Sequence, residues 1–248
     1  MIRKLSLLVP LLTFGIFSVA YAADPSASIL PGIDLGSNEP DKVSNTLRII
    51  LMITVLSVAP AILILMTCFT RIIVVLGFVR NALGTQQIPP NQVLVGLALF
   101  LTFFVMGPTF SVMNQEALQP FLDGKLTQQE ALNKAGEPLK EFMTKQTREK
   151  DLALFMDYAG MKRPDEVKDI PLKALVPAFA ISELKTAFQM GFMIFIPFLV
   201  IDMIVSSVLM SMGMMMLPPV MISLPFKILL FILVDGWNLI VKSLLLSF

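Results

Sequence analysis

Residues Ile181–Lys227 read ISELKTAFQMGFMIFIPFLVIDMIVSSVLMSMGMMMLPPVMISLPFK, and this stretch decides how the chain folds. Apolar side chains run from Leu184 to Met210 and resume from Val220 to Leu246. Each run is longer than the ~20 residues a helix needs to cross a hydrocarbon layer. Gly213 and the Pro218-Pro219 pair interrupt them: glycine tolerates left-handed dihedrals, and proline disfavours a helical residue before it. The pattern predicts two long helices and a tight turn, a helical hairpin over residues 184–248. Met210, Met212, Met214, Met215, Met216 and Met221 crowd that turn, and nine of the seventeen methionines fall between Met190 and Met221. Scattered methionines fill irregular gaps in cores, whereas thioethers gathered at a turn suit a deformable apolar constriction.

The same grammar appears earlier in the chain. Leu47–Val79 and Val93–Met113 are apolar, joined through Pro89, Pro90 and Asn91, with Asn91 a candidate helix cap. They predict a first helical hairpin over residues 47–113. Each long apolar segment carries a proline, Pro60, Pro108, Pro197 or Pro225, so kinked or broken helices are expected. Breaks in an apolar setting persist where protein or a water-lined cavity satisfies the freed carbonyls, which points to a packed multi-chain assembly. Between the hairpins, residues 114–183 form a hydrophilic insert with twelve acidic and ten basic residues. Leu126, Leu132, Leu139, Phe142, Leu152 and Phe155 recur there at loose helical spacing. The fold class is therefore all-α and of integral-membrane type: kinked helical hairpins in a multi-subunit assembly, with a hydrophilic helical insert; that this assembly is a pore is what the family resemblance given below implies.

Residues 1–22 carry the marks of a cleavable signal peptide: Arg3 and Lys4, an apolar run from Leu5 to Val19, and the small-x-small triplet Ala20-Tyr21-Ala22. Residues 23–46, rich in Pro, Gly, Ser and Asp, read as a flexible leader. Arg71 and Arg80 flank the first turn region, and no acid occurs from Leu47 to Gln115. Positive-inside logic then puts that turn in the cytoplasm and the insert outside, as the signal does.

Composition narrows the chemistry. The chain of 248 residues is 56% hydrophobic and 15% charged, with no histidine and one cysteine, Cys68. That set offers no usual zinc, haem or iron–sulfur ligands and no Ser-His-Asp or Cys-His pair. Neither a Walker nor a dinucleotide glycine loop is present. No catalytic residue, metal ligand or cofactor is assigned, and a net charge of +1 gives no reason to expect nucleic acid.

Asp202 and Lys227 are charges within apolar runs, where such groups pair or line a cavity. Counting outward from Met215, they fall at similar depth on the two arms of the hairpin. An interhelical pair fixing register is expected, with a proton-relay role for Asp202 as the alternative. Glu183 and Lys185 open the last apolar pair, with Ser182 a candidate cap.

Two blocks carry a family resemblance: LGTQQIPPNQVLVGLALFLTFFVM over Leu83–Met106, preceded by FTRIIVVL over Phe69–Leu76, and the Ile181–Lys227 stretch, followed by VDGW over Val234–Trp237. Together they resemble the P subunit of the flagellar type III export gate, the FliP family, related to the R-type subunit of virulence injectisomes. The signal peptide favours the flagellar branch. The resemblance implies a homo-pentameric ring coassembled with the gate's Q and R subunits in the bacterial cytoplasmic membrane. That ring would sit at the flagellar basal body and project to the periplasmic side, with helices packed largely above the bilayer and unfolded flagellar proteins as its cargo. It further implies a pore gasket of Met214, Met215 and Met216, with Gly213, Pro218 and Pro219 shaping the loop, and a subunit contact at Glu183.

Two other functions compete. Broken apolar helices with internal charges also suit a secondary transporter or ion channel, although four segments flank an asymmetric insert without internal repeat. Asp202 and Asp235 are the two carboxylates an intramembrane aspartyl protease would need, but the Gly-x-Gly-Asp context is missing.

Overall fold

The structure is a computed structural model that describes residues 40–85, 87–161, 169–214 and 216–248. The expected signal peptide, the leader up to residue 39 and Met215 lie outside the described residues. The chain divides after Pro60 into two units, each taken by itself. The described part of the first begins α1 (Pro40–Leu65).

In the second unit, the apolar run Leu47–Val79, expected to kink or break at its proline, breaks at residues 66–68. The break falls at Thr67, not at Pro60, which lies inside α1. The Thr67 hydroxyl donates to the Ile64 carbonyl at 3.1 Å and accepts from the Phe69 amide at 3.5 Å, serving both sides of the gap. Such local side-chain bonds compete with the helical ladder. Helix α2 (Phe69–Ala82) follows, then α3 (Asn91–Met113), a π-helical turn (Asn114–Leu118) and the short α4 (Gln119–Leu122). Asn91 is the first residue of α3, Pro90 holds the cap position, and Asn91 Oδ1 accepts from Arg80 Nη1.

The insert forms α5 (Gln128–Gln146) and α6 (Glu149–Tyr158). A reciprocal capping box starts α5: the Glu130 amide donates to Thr127 Oγ1 at 3.3 Å, and the Thr127 amide to Glu130 Oε2 at 2.8 Å. The backbone bond from Thr127 holds the Glu130 carboxyl below the usual carboxylate range.

Helix α7 (Leu172–Ser211) starts well before the expected Leu184 and runs 40 residues, about 60 Å at 1.5 Å per residue. It continues through Pro177 and Pro197. Ser182 is consequently not a cap but an interior residue: its hydroxyl donates to Asp151 Oδ2 at 2.7 Å and accepts from the Arg148 amide at 3.1 Å. Helices α8 (Pro219–Leu233) and α9 (Gly236–Leu245) complete the chain, bent by 64° around Asp235. Asp235 adopts φ 51°, ψ 54°, a left-handed conformation that Asp tolerates better than most residues. Among the described residues, two helical stretches are long and apolar enough to cross a membrane, Asn91–Leu122 and Leu172–Ser211; the bent α8–α9 pair is a third if it counts as one span. Expected breaks at prolines thus give way to breaks at Thr67 and Asp235.

The core lies where α2 crosses α7. Ile72, Val75, Leu76 and Val79 recur at helical spacing and are wholly buried, as are Leu175, Phe179 and Ala187 of α7. At the crossing Gly191 lets Phe78 lie flat on the helix: a Cβ there would stand 2.4 Å from Phe78 Cγ. Phe78 in turn meets Phe188 edge-on, ring centroids 5.4 Å apart. In a helix Gly→Ala ordinarily gains up to ~1 kcal/mol, while overpacking costs ~1–3 kcal/mol. Gly191→Ala is therefore expected to lower the melting temperature of the detergent-purified chain. The same change in a Phe78→Ala background, with the ring removed, is expected to raise it. Equal effects in both backgrounds would show that the ring does not set the helix separation.

Candidate functional site: a methionine-tipped hairpin and two ion pairs

Helix α7 ends in a closed turn dictated by Gly213. At φ +72° Gly213 donates to the Met210 carbonyl at 3.1 Å, and the Met214 amide returns to the Leu209 carbonyl at 3.0 Å. This is the Schellman arrangement, in which a left-handed glycine satisfies the last carbonyls of a helix. Pro218 then occupies the cap position of α8 and Pro219 its first turn, where a missing amide proton costs nothing. Within the turn, Met214 is 42% exposed and Met216 98%. Met210, Met212 and Met221 flank them, all exposed. The tip thus presents flexible thioethers outward from the chain.

Behind the tip the two arms are tied by charge. Lys227 Nζ donates to Asp202 Oδ2 at 2.6 Å, and Ser223 Oγ donates to Asp202 Oδ1 at 2.5 Å. Lys227 is almost wholly buried, Asp202 about a quarter exposed. Ser223 lies one turn before Lys227 on α8, so both donors face the same point of α7. Gly84, just past α2 and beside Lys227, adopts φ +75°, a left-handed conformation that favours glycine. Among the described residues no hydrogen bond joins Asp202 to Asp235, which is exposed at the α8–α9 bend.

A second ion pair joins the hairpins. Arg71 is 2% exposed and Glu183 fully buried. Arg71 Nε donates to Glu183 Oε2 at 2.9 Å, and Nη2 to Glu183 Oε1. The same guanidinium reaches the Ser247 carbonyl at 2.6 Å through Nη1 and Gln146 Oε1 at 2.9 Å through Nη2. The Phe248 ring covers its face at 4.1 Å. Glu183, which the resemblance assigned to a contact between subunits, therefore has its carboxylate held inside this chain. Arg71 is likewise no loop cation, which removes one of the two charges behind the positive-inside assignment. Arg71 and Glu183 lie 112 residues apart in sequence, and the signal for their pairing is a charge of each sign on an otherwise mostly apolar helix.

No group of three Cys, Asp or Glu side chains converges as a metal site among the described residues. What the arrangement offers is mechanical: a rigid hairpin with a soft apolar tip. Removing the Asp202 carboxylate strands a buried ammonium, a defect costing about 3 to 5 kcal/mol. Asp202→Ala is expected to abolish recovery of folded chain from membranes, and Asp202→Lys with Lys227→Asp to restore part of it. Equal yields from Asp202→Ala and wild type would show that the pair does not hold the hairpin.

The FliP family profile matches residues 52–244. Flagellar biosynthetic protein FliP of Bacillus subtilis (strain 168) is 72% identical over 212 residues, spanning 86% of this chain and 96% of the relative. The proteins of that name from Caulobacter vibrioides and Borreliella burgdorferi are 49% and 44% identical, spanning 93% and 96% of this chain and 88% and 96% of their own lengths. Identity at that level, over nearly the full length of both partners, places the methionine-tipped hairpin and both ion-paired helices within the matched region, and the chain belongs to the FliP family.

Proposed function

We propose that this chain is a structural, pore-forming subunit of the flagellar type III export gate, which passes unfolded flagellar proteins across the cytoplasmic membrane. The observation that carries this reading is the methionine turn, where Met214 and Met216 stand exposed at the tip of a hairpin whose arms are fixed by buried charge. Several copies arranged around an axis bring such tips together, and a ring of thioethers excludes water and ions yet yields to a passing polypeptide. The ring we propose has five copies and coassembles with the gate's Q and R subunits at the flagellar basal body, projecting to the periplasmic side. The subunit performs no catalysis, so the energy for export comes from other components. Asp202 acts as a register-fixing partner of Lys227, a reading supported by the two donors on its carboxylate.

Met214, Met215 and Met216 form the gasket in this reading, shaped by Gly213 and the Pro218-Pro219 pair. Replacing all three by Ala removes the thioethers while leaving Gly213 and the Asp202–Lys227 tie in place. Membranes bearing the assembled complex are then expected to conduct ions at least severalfold more than wild type, with unchanged yield of complex. Intact complexes with unchanged conductance would refute the gasket, and loss of the complex would return these methionines to packing.

A further inference from the structure

The turn between α7 and α8 brings reactive sulfur to the surface. Met212, Met214 and Met216 are 66, 42 and 98% exposed. A Cβ built on Gly213 would meet nothing within 4 Å, so the turn stands in open space. Sulfur elsewhere in the described chain is placed differently. Cys68, Met106 and Met143 are wholly buried, and Met156 nearly so. Met52, Met193 and Met203 are exposed, but each lies within an apolar helix, against surroundings that a water-borne oxidant enters poorly. A buried sulfur reacts only when the fold opens, whereas one in an open turn reacts directly.

The chemistry is a two-electron oxidation by a peroxide. The thioether lone pair attacks one peroxide oxygen, and an S–O bond forms as the O–O bond breaks. The sulfur-bound hydroxyl then gives its proton to the departing hydroxide, releasing one water; the thioether is oxidised to a sulfoxide and the peroxide is reduced. A sulfoxide is polar and accepts hydrogen bonds, where the thioether was apolar and flexible. The shape of the turn does not depend on the sulfurs, because backbone bonds from Gly213 to the Met210 carbonyl and from Met214 to the Leu209 carbonyl close it. The Asp202–Lys227 tie behind it contains no sulfur either. Oxidation therefore changes the polarity of the tip and leaves its position alone.

We propose that Met212, Met214 and Met216 form a sulfoxidation site, through which a peroxide converts the apolar tip of the hairpin into a wettable one. The consequence for permeation rests on the gasket reading above: a constriction that shuts by dewetting no longer shuts when its lining accepts hydrogen bonds from water. The hairpin is then a seal that oxidant opens to ions without unfolding the chain.

The first measurement takes the detergent-purified full chain through dilute hydrogen peroxide and follows the gain of one oxygen peptide by peptide. Met212, Met214 and Met216 are expected to oxidise at least roughly tenfold faster than Met106, Met143 and Met156, which must wait for an opening of the fold. Equal rates would overturn the proposal. The second applies the same treatment to membranes bearing the assembled complex and reads ion conductance beside the peptide map. A severalfold rise that tracks oxidation of the tip is expected. A variant combining Met212→Leu, Met214→Leu, Met215→Leu and Met216→Leu, with apolar bulk kept and no thioether left in the turn, is expected to hold its own untreated conductance through peroxide. An equal rise in that variant would overturn the proposal, as would a tip left unmodified in the complex. An oxidised tip with unchanged conductance would overturn it too, and the alanine variant of the gasket then separates the two readings: if that variant leaks, the gasket stands and only the oxidant response falls, whereas if it is tight, both fall.

Discussion

A guanidinium withdrawn from water inside an apolar helical protein is the constraint on which the rest of the structure depends. Burying an ion costs several kcal/mol, recovered only when its hydrogen-bonding capacity is met with good geometry. Arg71 meets it by drawing on three separate parts of the chain: Glu183 of α7, Gln146 at the end of α5, and the adjacent Ser247 and Phe248, one through its carbonyl and the other through its ring. Lysine has no planar fork to do this, since its charge is a point with three rotatable donors. Hydrophobic burial alone would hold α2 on α7 through Ile72, Val75 and Leu76, but apolar surfaces slide at little cost. The ion pair allows only one register. With α2 and α7 locked, the insert and the C-terminal residues are fixed by the donors that remain.

The second ion pair extends that order toward the methionine tip. Asp202 and Lys227 lie far along the hairpin from Glu183, and between them α7 presents mostly aliphatic and aromatic side chains. Two helices held only by such contacts present a tip of ill-defined position. The salt bridge, with Ser223 as a second donor, places α8 on α7 at one rotation. The Schellman turn at Gly213 and the prolines at the start of α8 then close the loop in few residues. In the export-gate reading proposed above, rigidity behind and softness at the tip are complementary requirements of a seal that would open for a chain and shut against ions. The methionines meet the second requirement because the thioether side chain has several rotatable bonds and no branch.

Much of this was legible in the sequence, and the failures have physical causes. Hydropathy located the hairpin arms, and counting from its turn brought Asp202 opposite Lys227. The prolines misled: Pro60, Pro108, Pro197 and Pro225 lie inside continuous helices, while the actual breaks come from a threonine that serves both sides of a gap and an aspartate that tolerates left-handed dihedrals. Proline's penalty is a local term, and neighbouring packing overrides it. Helix α7 starts early, at Leu172, with first turns that pack Phe179 on Phe142 of α5, so that in sequence they resemble part of the insert. The capping box Thr127-x-x-Glu130 was a sequence signal that went unused. Arg71 with Glu183 is the harder case, since their helices are not consecutive and share no turn from which to count.

The central claim is that Arg71 and Glu183 act as one unit that fixes the register of α2 on α7, and a double-mutant cycle tests it directly. Thermal unfolding of the full chain in detergent would be compared for wild type, Arg71→Met, Glu183→Met and the double variant. Each single change leaves a buried charge unpaired and is expected to cost about 3 to 5 kcal/mol. The double variant removes both charges and is expected to be more stable than either single one, with a coupling of at least ~2 kcal/mol. Additive losses, leaving the double variant the least stable of the four, would contradict the account.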